Sequence, residues 1–138
     1  ARVAAELARL RAGLPGGAVP ALIAIHSFTP VMNDFVRPWH IGILWNSDRR
    51  IAGPLIEALR ADGDIVVGDN APYDAREMVG YTLERHALVP GLPTALIEIR
   101  QDLIDTRRGA RAWTARLHRH LDAVLADPAA FRAAPAAA

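Results

Sequence analysis

The chain has 138 residues, of which 51% are hydrophobic and 22% are charged, a composition typical of one globular domain. Its formal net charge of +1 provides no general electrostatic attraction to nucleic acid or to an anionic membrane. Cysteine is absent, which excludes disulfides and thiolate chemistry, and no apolar run approaches the roughly 20 residues that span a bilayer. We therefore expect a cytoplasmic protein with neither a nucleic-acid nor a membrane partner.

The first half of the chain predicts a helix followed by two buried strands. Apolar residues recur at helical spacing over the first turns of the chain, which predicts an amphipathic helix. These residues are Val3, Leu7, Leu10 and Leu14. The continuous apolar run 21–25 is typical of a strand covered on both faces, and it leads directly into His26. A second run of this kind occupies 41–45.

The middle of the chain alternates between helical and strand patterns. Residues 47–63 predict a helix, but Gly53 and Pro54 indicate that it begins later than the caps Ser47 or Asp48 suggest. A third strand is predicted in 64–70. Next come a short helix in 81–88 and a fourth strand in 94–101.

A long helix is predicted near the end of the chain. Its apolar stripe comprises Trp113, Leu117, Leu121 and Val124. His118 and His120 lie two residues apart on this helix and so do not share a face, and we expect both at the surface. The segment 127–138 has little apolar patterning and is expected to fray.

Short apolar strands separated by helices predict an α/β fold with a largely parallel sheet. In open sheets of this kind, ligands bind beyond the carboxyl ends of the strands. His26 lies at such an end, which makes it a candidate ligand-binding residue. From the residues alone, a hydrogen-bonded core histidine is the more frequent interpretation.

Glu98 is the second unusual residue, because it lies near the carboxyl end of an apolar strand. Strand alternation places Glu98 on the same side as Arg100 and opposite Ile97 and Ile99. A carboxylate in such a position is unfavourable unless it is paired or used. Two interpretations stay open: an ion pair with Arg100 or another arginine, and a general base in the same cleft as His26.

Further polar candidates lie at the same predicted edge of the sheet. Asn70 and Tyr73 belong to the loop "GDNAPY", which is either a simple turn or a source of substrate contacts. Arg37, in "FVRPWH", is equally compatible with a bidentate carboxylate contact and with a surface charge. The chain carries no Gly-rich phosphate loop, no nucleophile elbow and no local metal-binding motif. The residues by themselves support a polar cleft around His26 and Glu98.

Four stretches of the chain resemble the carboxyl-terminal part of the N-formylglutamate amidohydrolase family. The stretches are "IAIHSFTPVMNDFVRPWHIGILWN", "RIAGPLIEALRADGDIVVGDNAPY", "GYTLERHALVPGLPTALIEIRQDLI" and the helix that carries Trp113. They cover most of residues 19–125, in the family's order and spacing. The combination of "HSFTPVM", "RPWHIG" and "IEIRQDLI" in one chain is specific.

The resemblance implies a three-layer α/β/α fold similar to zinc carboxypeptidases, with a mostly parallel or mixed sheet. It implies hydrolysis of the amide of a small acidic N-acyl amino acid, with N-formylglutamate from histidine breakdown as the best-known substrate. Zinc or another divalent metal would be the cofactor, with His26 as a ligand and Glu98 as general base and acid. Arg37, Asn70, Tyr73 and Arg100 lie where substrate contacts are expected.

This chain departs from the family in length. Family members are roughly twice as long, and their amino-terminal half supplies the other metal ligands. By this resemblance residues 1–138 correspond to the carboxyl-terminal part of one amidohydrolase domain with an incomplete sheet. Whether the chain is active alone stays open, and so do its metal and its oligomeric state. Two alternatives remain: a related hydrolase with another N-acyl substrate, and a non-catalytic α/β module that binds an acidic metabolite through Arg37 and Arg100.

Overall fold

A computed structural model describes residues 2–77, 86 and 91–132 of the chain. Its elements, in chain order, are helix α1 (Arg2–Gly13), strands β1 (Leu22–Phe28), β2 (Val31–Met32), β3 (Phe35–Val36) and β4 (Ile41–Leu44), helix α2 (Ala52–Ala61), strands β5 (Val67–Asp69) and β6 (Thr94–Arg100), and helix α3 (Arg107–Leu125). Short 3-10 helices occupy Gln101–Leu103 and Pro128–Phe131. The predicted α/β class is confirmed, and the four predicted strands correspond to β1, β4, β5 and β6.

The main sheet has the strand order β1-β6-β4-β5 and is mixed. β1 pairs with β6 in parallel and β4 pairs with β5 in parallel, whereas the central pair β4 and β6 is antiparallel. The expectation of a largely parallel sheet therefore holds for two of the three pairings. Within the described residues, β1 lies at one edge of the sheet and pairs only with β6.

Helices α2 and α3 cover one face of the main sheet and form the hydrophobic core with it. On that face alternate residues of β4 and β6 are buried, as the two-residue period of a strand requires. These residues are Ile41, Ile43, Ala95, Ile97 and Ile99. α2 begins at Ala52, later than its sequence caps, as Gly53 and Pro54 indicated.

On the opposite face of the sheet, Gly42 and Gly68 leave a surface without side chains. A Cβ added at Gly42 or at Gly68 would overlap the backbone carbonyl oxygen of Ala71. The loop after β5 therefore lies directly on β4 and β5 because neither residue carries a side chain. This close approach brings Tyr73 over the face that carries Glu98.

A small antiparallel hairpin formed by β2 and β3 was not predicted from the sequence. Asn33 and Asp34 form its turn with φ angles of 50° and 61°, which is the backbone that a two-residue hairpin turn requires. Each strand contains two residues, so no alternating pattern is visible in the sequence. All four strand residues of this hairpin are exposed and apolar.

The end of the described chain differs from the expected frayed tail at 127–138. The Asp127 side chain accepts a hydrogen bond from the Ala129 amide and caps the 3-10 helix, and Ala130 is buried. The Val19 amide donates to the Phe131 carbonyl, which attaches this segment to the chain before β1. Residues 133–138, and the helix expected at 81–88 apart from His86, lie outside the described residues.

The amphipathic helix predicted at the start is present as α1, but none of its residues is buried. The predicted stripe of α3 is present, with Trp113, Leu117 and Val124 buried and Leu121 partly buried. Across the described part of the chain, every helix is too short or too polar to cross a membrane.

Candidate active site

His26 and Glu98 lie side by side on the face of the sheet opposite α2 and α3. They are register partners in the parallel pair β1 and β6, so their side chains emerge on the same side. The His26 Nδ1 atom lies 3.8 Å from Glu98 Oε1. The His26 side chain is 61% exposed, whereas that of Glu98 is 7% exposed. The pairing of two distant strands therefore creates a site with one accessible imidazole above one buried carboxylate.

The Glu98 carboxylate accepts no side-chain hydrogen bond from the described residues, and its nearest charged neighbour is His26 at 3.8 Å. The Glu98 Oε2 atom is buried and has no hydrogen-bond partner among these residues. Burial raises the pKa of Glu98, while the nearby charges of His26 and Arg37 act in the opposite direction. A buried carboxylate oxygen without a donor is unfavourable for folding alone, and such groups concentrate at functional sites.

The donor set around His26 fits part of a metal site. An imidazole and a carboxylate are the ligand types that zinc takes in proteins. In the described part of the chain no hydrogen bond engages the His26 ring, so a ring nitrogen is available for a metal. However, residues 2–77, 86 and 91–132 contain no cluster of three or more His, Cys, Asp or Glu side chains that could hold a metal. His26 therefore fits as one ligand of a centre that needs others.

Arg37 is a buried cation held by neutral groups. Arg37 is only 5% exposed, so the interpretation of this residue as a surface charge is wrong. The Nη1 group donates to the Tyr73 hydroxyl at 3.1 Å and to the Thr29 carbonyl at 3.2 Å. The guanidinium carbon lies 4.9 Å from the centre of the Tyr73 ring and 5.7 Å from that of Phe28. No carboxylate forms a salt bridge with Arg37 among the described residues.

Arg100 has a different environment from Arg37. Its Nε and Nη2 donate to the Asp102 carboxylate at 2.8 and 3.2 Å. Its Nη1 reaches the carbonyls of Arg37 and Trp39 at 3.5 and 3.4 Å. The ion pair between Glu98 and Arg100 that the sequence allowed is therefore not formed, and Arg100 instead stabilises the segment before β4.

Asn70 uses both ends of its amide on the backbone of one residue. The Trp45 amide donates to Oδ1 at 2.8 Å, and Nδ2 donates to the Trp45 carbonyl at 2.9 Å. Asn70 has a φ of 50°, a conformation that asparagine tolerates well. The amide thus attaches the loop after β5 to the end of β4, as the turn interpretation predicts, whereas Tyr73 points its hydroxyl at Arg37.

Four of the predicted site residues lie together on one face of the sheet: His26, Glu98, Arg37 and Tyr73. The polar groups of Arg100 and Asn70 instead form hydrogen bonds with other parts of the protein. Sequence reasoning missed Met32, whose sulfur lies 2.7 Å from Nη2 of Arg37. No signal in the sequence could have identified it, because it lies in a hairpin too short to recognise.

Comparison with known proteins identifies the family. The sequence model of the N-formylglutamate amidohydrolase family matches residues 1–105. The chain belongs to the N-formylglutamate amidohydrolase family. Among solved structures, the gene product Atu2144 from Agrobacterium tumefaciens is similar, with 35% sequence identity and a TM-score of 0.81. That match covers 91% of this chain and 48% of the other, so this chain spans about half the length of that relative. No curated protein matches the chain.

Proposed function

We propose that this protein hydrolyses the amide bond of an N-acyl amino acid, with N-formylglutamate as the leading substrate and glutamate and formate as products. The supporting observation is the buried carboxylate of Glu98, with one oxygen unpartnered among the described residues, beside the exposed ring of His26. Membership of the amidohydrolase family supports the same reaction class. We place this activity in the cytoplasmic degradation of histidine.

Glu98 acts as the general base and then as the general acid. Burial raises its pKa, while His26 and Arg37 keep the ionised form accessible. A carboxylate balanced in this way can accept a proton from the attacking water and deliver it to the leaving amine nitrogen. Its oxygen Oε1, 3.8 Å from His26 Nδ1, faces the proposed metal ligand and accepts that proton, whereas Oε2 is buried.

His26 is one ligand of a divalent metal, with zinc as the leading candidate. A catalytic zinc takes three protein ligands and a water, so the remaining ligands come from the part of the family's sequence that this chain does not span. When bound, the metal would serve as a Lewis acid for the amide carbonyl and would lower the pKa of water at the site toward neutrality.

Arg37 binds a carboxylate of the substrate. It is buried, it is not neutralised by any described carboxylate, and its charge acts on Glu98. A planar guanidinium suits bidentate binding of a carboxylate better than an ammonium group does. We assign Arg100 and Asn70 to holding the backbone rather than the substrate, because their polar atoms are already engaged.

The test compares the turnover and the metal content of the wild-type protein with those of three variants. Glu98→Gln is expected to lower kcat for N-formylglutamate by about 10²–10⁴-fold with its metal retained. His26→Ala is expected to lose bound zinc in elemental analysis. Glu57→Gln makes the same chemical change at an exposed position of α2 and should match the wild type in both measurements.

The outcomes separate the proposed reaction from its alternatives. A kcat of Glu98→Gln within about threefold of the wild type would remove Glu98 from the mechanism. Faster turnover of the N-acetyl or N-succinyl analogue than of N-formylglutamate would indicate a related hydrolase. Absence of turnover on all three substrates, with unchanged zinc in His26→Ala, would indicate a non-catalytic binding module.

A further inference from the structure

Several arginine side chains in this structure bind a carboxylate through the edge formed by Nε and Nη2, whereas Arg116 binds Asp64 through Nη1 and Nη2. Nε and Nη2 lie side by side on the guanidinium and can donate two parallel hydrogen bonds to one carboxylate. Four arginines use this edge on a nearby acidic residue: Arg9 on Glu6, Arg50 on Asp48, Arg76 on Asp74 and Arg100 on Asp102.

The same edge of Arg37 has no carboxylate in the described part of the chain. The contacts with Tyr73 and Thr29 occupy Nη1, which leaves the edge formed by Nε and Nη2. Nη2 is in contact with the Met32 sulfur, and Nε has no hydrogen-bond partner among the described residues. A thioether is a weak acceptor and carries no charge. Met32 therefore covers the carboxylate-binding edge of a buried cation without neutralising it.

We propose that the substrate carboxylate binds side-on to Nε and Nη2 of Arg37. In the free protein the Met32 sulfur occupies this position, and the carboxylate displaces it. This inference rests on the proposed function, and it adds the edge that recognises the carboxylate and the residue that competes for it. The ligand class is a carboxylate of an N-acyl amino acid or a free dicarboxylate of similar length.

Little free energy is needed to displace the Met32 side chain, because it lies in an exposed and short hairpin. Met32 is 46% exposed and belongs to β2 of the two-stranded hairpin. A hairpin of two strands is marginally stable by itself. Its strand residues are 46–70% exposed, so few contacts oppose a movement of this side chain.

The guanidinium itself stays in place when Met32 leaves. The Tyr73 hydroxyl and the Thr29 carbonyl hold Nη1, and the rings of Tyr73 and Phe28 lie near the guanidinium carbon. A binding group fixed before the ligand arrives loses less conformational freedom on binding. Contacts at Nη1 therefore fix the position of the Arg37 guanidinium, whereas only the Met32 sulfur covers the edge formed by Nε and Nη2.

The experiment titrates glutarate into the 138-residue protein and follows the ¹⁵Nε resonance of Arg37 by NMR. Glutarate is a dicarboxylate without an amide bond, so binding is measured without turnover. Glutarate is expected to shift this resonance in the wild type. Met32→Ala is expected to lower the glutarate Kd by about two- to fivefold, because the competing contact is weak and its removal leaves the binding edge open.

Three further variants make the measurement specific. Met32→Leu keeps a similar volume without the sulfur acceptor and should lower Kd in the same direction. Val31→Ala, the neighbouring hairpin position, should leave Kd unchanged. Arg37→Lys should weaken glutarate binding by at least about tenfold, whereas Arg100→Lys should leave Kd unchanged because Asp102 already occupies its edge.

Two results would overturn the inference: an Arg37 resonance that does not respond to glutarate, or a Kd that is unchanged or higher in both Met32 variants. These results are distinct from failure of the proposed function. A protein that binds glutarate as described but does not hydrolyse any N-acyl substrate retains this inference and loses the proposed reaction. A protein that hydrolyses N-formylglutamate but whose glutarate Kd does not respond to the Met32 variants retains the proposed reaction and loses this inference.

Discussion

Glu98 lies between His26 on one neighbouring strand and Gly42 on the other. His26 is its register partner on β1, and Gly42 is its register partner on β4. His26 supplies an imidazole 3.8 Å away, while Gly42 supplies no side chain and admits the loop that carries Tyr73. The side chain of Glu98 is only 7% exposed and no cation among the described residues forms a hydrogen bond with it, so burial is the main influence on its pKa.

Glu98→Gln is expected to gain stability relative to the metal-free wild type as the pH rises. The pKa of Glu98 is raised above 4.5 in the folded protein, so the folded state binds this proton more tightly than the unfolded state does. Wild-type stability is therefore lost as the pH rises from 4.5 through the higher folded pKa, and glutamine has no such loss. Denaturant unfolding at about pH 4 and about pH 8 measures the difference.

The matched control for this pH effect is Glu57→Gln, which makes the same change on the exposed side of α2. Its stability relative to wild type should be the same at both pH values. A difference between Glu98→Gln and wild type that stays constant or shrinks with rising pH would show that burial does not raise this pKa.

Gly42→Ala is expected to destabilise the protein by about 1–3 kcal/mol. The new methyl group would overlap the Ala71 carbonyl oxygen, and backbone must shift to accommodate it. The shift moves the loop that carries Tyr73, so the contact between Tyr73 and Arg37 should also loosen. Chemical denaturation measures the stability, and the Arg37 ¹⁵Nε resonance reports the contact.

Gly13→Ala provides the comparison for Gly42→Ala, since a methyl group at Gly13 meets no atom within 4 Å. We expect a change within about 0.5 kcal/mol there. Equal stability of Gly42→Ala and wild type would contradict the close approach of the loop to the sheet.

Asp62→Asn is expected to lower stability at neutral pH by about 1–2 kcal/mol. The Asp62 carboxylate accepts hydrogen bonds from His120 at 2.9 Å, Arg116 at 2.5 Å and Arg119 at 3.1 Å. The bond with His120, assisted by the two arginines, lowers the pKa of Asp62 below 3.8. The stabilisation is therefore present above pH 3.8 and is lost as the pH falls through the lower folded pKa.

Asp122→Asn tests a second Asp–His pair, which involves a different carboxylate and is exposed. Asp122 lies 3.2 Å from His118, and both side chains are about 70% exposed. Its loss should change stability by less than about 0.5 kcal/mol. If thermal unfolding at neutral pH gives equal losses of stability for the two variants, the partly buried pair of Asp62 and His120 contributes no more than the exposed pair.

The pair of Asp62 and His120 also corrects one sequence-based expectation. His118 is exposed as predicted, but the prediction of a surface position for His120 is wrong, because this residue is buried against Asp62. Helical spacing correctly separated the two histidines onto different faces. It could not reveal that the loop after α2 brings a carboxylate to one of those faces.

Local patterns were sufficient to predict the secondary structure of most described elements. Continuous apolar runs indicated β1 and β4, and helical spacing indicated α1 and α3, because these signals depend on residues a few positions apart. The position of His26 in β1 and the alternation around Glu98 were visible for the same reason. The resemblance carried by "HSFTPVM" and "IEIRQDLI" indicated the family, and the family comparison confirms it.

Strand pairing and the environment of each polar side chain were decided only in the tertiary structure. The antiparallel pairing of β4 with β6 and the register of His26 with Glu98 join segments that are far apart in the chain. In the sequence Arg37 and Arg100 are equivalent candidates. The fold surrounds Arg37 with aromatic rings and places Asp102 on Arg100, because charge and burial depend on which distant groups packing brings within a few ångströms.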